Sequence, residues 1–224
     1  MFGKSLLIGM MVVGTFALPS NAVVLGPGGG PVGPDQLDSF AGATFLASTG
    51  LMPFVGVNAL NQTIFTGTFQ ELVALDPTNN TTIDFLYQFR DLTGDAIGRM
   101  TATGYAGFGT DVGYDPFETM TVFLPGPYVV PDTVARSASG DTISYDFAGV
   151  GGVPNGSASA LLVINTNATQ YALSGTVNFI DGAVASMIDY APATAPEPAS
   201  LGLLLGGLFA AGLFFARRFR VRHE

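Results

Sequence analysis

Alternation between apolar and polar residues dominates the middle of the chain. Ile83, Phe85, Tyr87 and Phe89 occupy every second position of one stretch, with polar residues at most of the positions between them. Side chains of a strand point to opposite faces in turn, so this pattern predicts a strand with one buried face. Comparable alternation covers residues 143–147, 157–165 and 170–180, and weaker signals cover 40–47, 64–75, 99–106 and 119–124. The sequence therefore predicts about eight strands.

The architecture follows from how such strands bury their apolar face. No segment of the middle shows an apolar stripe of helical period, so crossover helices and a parallel sheet are not expected. Antiparallel strands must then stack a second sheet on the apolar face or close up. We predict an all-β domain over residues 38–190, an antiparallel two-sheet sandwich of jelly-roll type. An open barrel is the alternative.

The composition limits the possible chemistry and partners. The chain has no Cys, which removes disulfides, thiolate metal sites and cysteine nucleophiles. Between residues 23 and 198 three arginines (Arg90, Arg99 and Arg136) face sixteen acidic residues, a net charge of −13. Phosphate binding needs clustered Lys and Arg, so a nucleic-acid partner is not expected. The acidic surface favours solubility, and affinity for cations or basic polymers is the alternative.

The N-terminus is typical of a secretory signal peptide. Lys4 precedes a mostly apolar run over residues 6–18, and the small residues Ser20 and Ala22 follow. This pattern predicts a signal helix in residues 1–22 and cleavage by signal peptidase between Ala22 and Val23. An uncleaved anchor is the alternative. Residues 23–37 are rich in Gly and Pro, and we predict a linker that forms neither helix nor strand.

The C-terminus has three parts in order. Residues 191–200 form a predicted Pro-rich stalk that contains Pro196, Glu197 and Pro198. Residues 201–216 are apolar and predict a short transmembrane helix. Arginines beside a span stay on the cytoplasmic side, so those in the tail 217–224 are predicted stop-transfer and orientation signals: Arg217, Arg218, Arg220 and Arg222.

This ordered end resembles the PEP-CTERM sorting signal of Gram-negative bacteria, which consists of a Pro-Glu-Pro motif, a short transmembrane helix and an arginine cluster. The resemblance covers residues 195–224. It implies that exosortase, a membrane-embedded cysteine protease or transpeptidase, recognises Pro196, Glu197 and Pro198 and cuts near them. It also implies export through the inner membrane to the cell surface or to the extracellular polysaccharide matrix of a biofilm. An ordinary tail anchor with a proline-rich stalk is the alternative.

No set of residues stands out for catalysis. The one histidine, His223, lies in the predicted cytoplasmic tail, apart from the exported domain, so serine–histidine chemistry is not expected there. A glycosidase needs two facing carboxylates, and Glu71, Asp84 and Glu118 are candidates, but no spacing singles out a pair. Glu71 and Asp84 fall in or beside alternating stretches, where solvent-facing acids are ordinary. We expect no enzymatic activity and no catalytic residue.

Two weaker signals point to ligand binding. Asp91 with Asp95, and Asp111 with Asp115, place paired acids and a glycine in predicted turns, an arrangement that suits Ca²⁺. Solvated turn acids are the favoured reading, because Asp commonly caps turns through its side chain. Rings in a Gly- and Pro-rich stretch could stack on a sugar, although core packing is favoured: Tyr105, Phe108, Tyr114, Phe117 and Tyr128.

We therefore expect an exported, exosortase-processed surface or matrix protein with a non-enzymatic β domain and no cofactor. Its expected partners are signal peptidase, exosortase and, through the C-terminal helix, the membrane. A carbohydrate- or calcium-binding module of the extracellular polysaccharide matrix is the alternative.

Overall fold

The computed structural model describes residues 22–37, 43–115, 124 and 126–194. Their regular structure is almost entirely strand, with one short 3-10 helix at Ala148–Val150. The strands, numbered in chain order, are β1 Val23–Val24, β2 Asp35–Gln36, β3 Phe45–Ser48, β4 Met52–Val57, β5 Thr63–Leu75, β6 Ile83–Gly94, β7 Arg99–Ala102, β8 Thr110–Asp115, β9 Tyr128–Val129, β10 Thr133–Arg136, β11 Ile143–Asp146, β12 Ala158–Ser159, β13 Leu161–Thr166, β14 Gln170–Ile180 and β15 Val184–Ala193.

One sheet contains all of these strands. Its main order is β1-β8-β13-β6-β5-β4-β15-β14-β7-β11-β10, and β2, β3, β9 and β12 pair outside this path. Two short pairs, β2 with β8 and β9 with β12, are parallel, and the other strand pairs are antiparallel. The prediction of an antiparallel all-β domain is confirmed.

The sheet curls until its two halves face each other. Phe89 of β6 lies against Phe179 of β14 with ring centroids 5.0 Å apart, although three strands separate β6 from β14 in the sheet order. Across the same interior the Tyr145 hydroxyl donates a 2.7 Å hydrogen bond to the Val163 carbonyl of β13. The two facing halves enclose an aromatic core, as the layers of a sandwich do, but hydrogen bonds join them into one continuous sheet.

The segment 23–37 belongs to this sheet, so the prediction of a linker without strands is wrong. Val23 pairs with Val112 of β8, and Val32 forms a bridge with Val134 of β10. Leu25 is buried between these contacts. The segment therefore connects β8 and β10, which lie near opposite ends of the strand order. Gly28 takes a positive φ of 75° in a turn, which lets the glycine-rich chain bend while its apolar residues reach the core.

The C-terminal boundary also differs from the prediction. Strand β15 continues to Ala193, and Ala191 is buried, so the first residues of the predicted stalk 191–200 are part of the sheet. Pro192 is accommodated opposite Tyr171 of β14. The sequence pattern missed β4, β8, β10 and β15, whose apolar alternation is weak or contains Pro, Gly and Asp. Strand β7 is shorter than the predicted 99–106.

Several predictions fall outside the described residues. These are the signal peptide up to residue 21, the strand at 119–123, the start of the strand at 40–47, the transmembrane helix 201–216 and the tail 217–224. Among the residues that are described, no helix has the length and apolar character needed to cross a membrane.

Candidate functional site

The residues of the predicted sorting signal lie outside the described part of the chain: Pro196, Glu197, Pro198, Arg217, Arg218, Arg220 and Arg222. The positions next to both predicted processing sites are described. Val23, which directly follows the predicted signal-peptide cleavage site after Ala22, is the first residue of β1. Ala193, the last residue of β15, precedes the Pro-Glu-Pro motif closely in sequence. The described sheet therefore begins and ends next to the two predicted signals.

Two carboxyl groups lie in the interior of the sheet. Glu71 of β5 falls in the inward-facing row of Phe69 and Val73, and Asp189 falls in the row of Ala185 and Ala191 on β15. Both acids are completely buried. The prediction that Glu71 faces solvent is therefore wrong, because the alternation of β5 directs it into the core.

The hydrogen bonds around these acids are incomplete. The Tyr190 backbone N–H donates to Glu71 Oε2 at 2.7 Å, and the hydroxyls of Tyr87 and Tyr105 share a 2.6 Å hydrogen bond. Glu71 Oε1 and both carboxyl oxygens of Asp189 have no hydrogen-bond partner among the described residues. An ionised carboxylate in such surroundings is strongly disfavoured, because little replaces the water that it loses.

Burial shifts the titration of both groups in the same direction. It raises the pKa of Glu71 well above its ordinary value, and repulsion by Asp189 adds to the rise, while the Tyr190 N–H and the Tyr87 hydroxyl oppose it. Burial also raises the pKa of Asp189, to about 8, against a smaller opposing effect of Tyr87. The raised pKa values favour the protonated form of both acids, and the pKa of Asp189, about 8, lies above neutral pH. Because neither acid contacts solvent, a polysaccharide substrate cannot reach Glu71 or Asp189.

Asp84, another glycosidase candidate, faces away from Glu71. It pairs with Ala74 across β5 and β6, whereas Glu71 pairs with Tyr87, so the two acids lie on opposite faces of the sheet. Asp84 is only 1% exposed, against the prediction of a solvent-facing acid. A second apolar cluster covers this face of the sheet: Leu37, Leu72, Ala74, Leu86, Leu161 and Val163. Burial, with a contribution from Asp76, raises the pKa of Asp84 to about 8. Glu118 lies outside the described residues.

The predicted calcium pairs lie in different settings. Asp91 is buried, whereas Asp95 is exposed. Burial raises the pKa of Asp91 to about 6, with smaller contributions from Asp181 and Asp95, while the Thr93 N–H opposes the rise. Across the described residues, no three acidic or histidine side chains form a group that could hold a metal ion.

The sequence predicts that Asp111 and Asp115 lie in a turn, and this prediction is wrong. Both lie on the extended strand β8, where four residues span about 13 Å. Asp111 is half-buried, and its pKa is raised by burial, while Asp115 is buried.

The aromatic residues considered for sugar binding do not share one surface. Tyr105 is completely buried and bonded to Tyr87. Phe108, Tyr114 and Tyr128 are half-buried, with the Tyr128 hydroxyl bonded to the Leu124 carbonyl. Phe117 lies outside the described residues.

A groove lies on the outer face of β7, β10 and β11, and most of the residues that line it have polar side chains. Its volume is about 550 Å³. Arg99 and Asp146 form a 2.6 Å ion pair in its wall, and hydroxyl groups line much of the rest: Thr101, Thr133, Ser137, Thr142 and Ser144. Arg136 also borders it, so two of the three arginines between residues 23 and 198 meet at this groove. Hydroxyls, a guanidinium and a carboxylate are groups that can hydrogen-bond a hydrophilic ligand.

Arg136 is a buried charge with a complete set of partners. Its guanidinium donates to the carbonyls of Gly140 and Leu25 at 2.9 Å and to those of Tyr105 and Phe108 at 2.8 Å. It also donates to Thr110 Oγ1 at 2.9 Å. The planar five-donor guanidinium therefore holds the N-terminal segment, β8, the loop after β7 and the β10–β11 turn together.

Sequence reasoning missed Asp189 and Arg136 as notable residues. For Asp189 a signal exists, because Ala185, Met187 and Ala191 place it in an otherwise apolar alternating row. For Arg136 no local pattern reveals that its partners come from distant segments. Comparisons with protein-family models, with curated proteins and with solved structures found no significant match.

Proposed function

We propose that this chain is an exported, non-enzymatic protein of the cell surface or extracellular matrix of a Gram-negative bacterium, sorted by processing at its C-terminus. The observation that carries the proposal is the ordered C-terminal sequence: Pro196-Glu197-Pro198, the apolar residues 201–216 and four arginines. The arrangement resembles the PEP-CTERM signal, which makes exosortase the proposed partner. Signal peptidase is the proposed partner at Ala22 and Val23.

The layout of the domain supports this proposal. The sheet begins at Val23 and ends at Ala193, so cleavage at both ends would leave its strands whole. The sequence after Ala193 contains Pro196 and Pro198, and proline disfavours helix both at its own position and at the residue before it. The predicted apolar helix would hold the precursor in the inner membrane until exosortase acts.

The position of the acids supports a non-enzymatic role. Glu71 and Asp84 are buried on opposite faces of the sheet and cannot flank one glycosidic bond. The proposal requires no cofactor.

The decisive experiment is the intact mass of the protein recovered from each cell fraction of its own host. We expect a species that begins near Val23, ends close to the Pro-Glu-Pro motif and lies outside the inner membrane. A variant with Pro196, Glu197 and Pro198 replaced by Ala should keep its tail and stay in the inner membrane. The matched control, Thr194→Ala beside the motif, should be processed normally. An intact tail on the unmodified protein, in a host that has exosortase, would contradict the proposal.

Saccharide binding is the second candidate function, and the groove over β7, β10 and β11 favours it. We expect soluble oligosaccharides of the host matrix to bind there through the hydroxyls and the Arg99 guanidinium. Ser144→Ala combined with Arg99→Ala should weaken binding on a glycan array, whereas Thr68→Val, on another part of the sheet, should not. Equal binding by both variants would remove the groove from consideration.

A further inference from the structure

The C-terminal end of β15 is only weakly paired with the strands on its β4 side. Its pairing with β4 is confined to one residue pair, Val184 with Val57. Further along, the Tyr190 N–H donates to the carboxyl side chain of Glu71. The Glu71 side chain therefore accepts the hydrogen bond that a backbone carbonyl of a neighbouring strand would otherwise accept.

The pairing of β15 with β14 is also interrupted at this level. The ladder shifts register between Ala172 and Gly175, next to Asp189. Beyond the shift a short ladder remains, in which Tyr171 pairs with Pro192 and Ala172 with Ala191. An isolated pair of short strands is marginally stable in water, so this ladder depends on its contacts with the core.

Glu71 and Asp189 lie at the base of this short ladder, without a basic partner. The titratable groups around them come from several elements: Tyr87 of β6, Tyr105 of the loop after β7 and, next to Tyr105, Tyr145 of β11. Gly175 of β14 packs so closely that a Cβ atom there would overlap the Asp189 carboxyl. Among the described residues, no basic side chain hydrogen-bonds Glu71 or Asp189. The two negative charges that these acids would carry when ionised are therefore not compensated.

We propose that Glu71 and Asp189 form a proton-dependent latch on the C-terminal end of β15. While the acids keep their protons, the Tyr190–Glu71 bond and the core hold residues 189–193 against β5. When both lose their protons, two like charges face each other in an apolar interior, and the short ladder separates from the core. The raised titration range of both groups agrees with this geometry.

The latch acts on the segment that leads into residues 194–198. An alkaline medium would lengthen the free chain in front of the Pro-Glu-Pro motif, and an acidic or neutral one would keep it short. The latch is a property of the folded domain and does not depend on the proposed sorting by exosortase.

The test is hydrogen–deuterium exchange of the full-length chain in detergent micelles, corrected for the intrinsic effect of pH on exchange. Between about pH 6 and about pH 9, a window that spans the pKa of about 8 of Asp189, we expect protection of residues 189–193 to fall about tenfold or more. Amides of the β5–β6 hairpin at residues 83–89 should keep their protection. In Glu71→Gln with Asp189→Asn, which preserves shape and removes both charges, the end of β15 should stay protected at every pH.

Asp84→Asn is the matched control, because it removes a buried acid from the opposite face of the same sheet. This variant should keep the pH-dependent opening of residues 189–193. Unchanged protection of the unmodified chain across the pH range would overturn the latch, and so would an equal loss in all strands. If the double variant fails to fold, Asp189→Asn alone decides the question: an undiminished pH-dependent loss of protection at residues 189–193 in this variant would also overturn the latch.

Discussion

Arg136 and the Glu71–Asp189 pair are both buried in this domain, but their surroundings differ. The guanidinium of Arg136 donates to five acceptors in four segments, three of which are distant in sequence. The two acids leave three carboxyl oxygens without a hydrogen-bond partner among the described residues. A buried charge with full hydrogen bonding is kept at every ordinary pH, whereas a carboxyl without it is stable inside a protein only as the neutral acid.

Arg136 therefore acts as a permanent tie, a group that holds separate segments together at every ordinary pH. The Glu71–Asp189 pair does so only while its acids are protonated. The tie joins the N-terminal segment 23–37 to the sheet, and the acids lie under the C-terminal end of β15. Removing or neutralising each group should therefore affect stability differently.

The largest effect is expected for Arg136→Ala. It leaves four carbonyls and one hydroxyl without their buried donor, and we expect a loss of about 3 kcal/mol or more in the free energy of unfolding. Arg136→Lys should lose less but remain destabilised, because an ammonium offers fewer donors in a different geometry. Urea unfolding of the full-length chain, followed by tyrosine fluorescence because the chain has no Trp, measures both. A loss below about 1 kcal/mol for Arg136→Ala would show that other contacts carry the tie.

The next effect concerns pH. The folded-state pKa of Asp189 is raised from 3.8 to about 8, so its stabilising proton is fully present below the unfolded pKa and is lost as the pH rises through the folded one. Stability should therefore fall between about pH 4 and about pH 8, at up to about 1.4 kcal/mol per pH unit for this group.

Asp189→Asn should reduce the dependence of the free energy of unfolding on pH by the part that the proton of Asp189 contributes. Urea unfolding at several pH values, again followed by tyrosine fluorescence, gives the slope for each chain. Equal slopes for the variant and the unmodified chain would show that Asp189 releases its proton at the same pH in both the folded and the unfolded states.

The smallest effect is expected for the ion pair in the groove. Arg99 and Asp146 are 51% and 23% exposed at their side chains, so water and salt screen their 2.6 Å contact. Arg99→Gln should cost less than about 1 kcal/mol, and high salt should reduce the difference further. A larger loss that resists salt would place this pair with Arg136 among the structural ties.

Much of the fold could be predicted from alternation in the sequence. The strands at 64–75, 83–90, 143–147 and 170–180 were recognised because apolar rows of period two are a local property. Strand β8, Thr110–Asp115, was not recognised, since its apolar row consists of Val112 and Tyr114 alone and its Gly and Asp residues are typical of turns. Segment 23–37 was misread for a related reason. Its Gly and Pro residues indicate turns, whereas Val23, Leu25 and Val32 contact residues of β8, β10 and the core that are far away in sequence.

The acids were placed on the wrong side for a different reason. Period two states that Glu71 shares a face with Phe69 and Val73, but an isolated strand does not reveal whether water or another layer covers that face. Asp84 was misjudged because both faces of β6 are covered. A rule that polar residues face solvent fails at a strand covered on both sides.

The sequence by itself determined the antiparallel all-β class, the strongest strands and the order of the segments at the C-terminus, because these depend on neighbours in the chain. Only the tertiary structure decided that the sheet curls on itself, that segment 23–37 lies between β8 and β10, and that Glu71 and Asp189 meet in the core. Each of these depends on residues far apart in sequence, brought together by curvature and pairing that no local pattern encodes. Burial then sets the charge state of the acids, since desolvation acts only after the layers close.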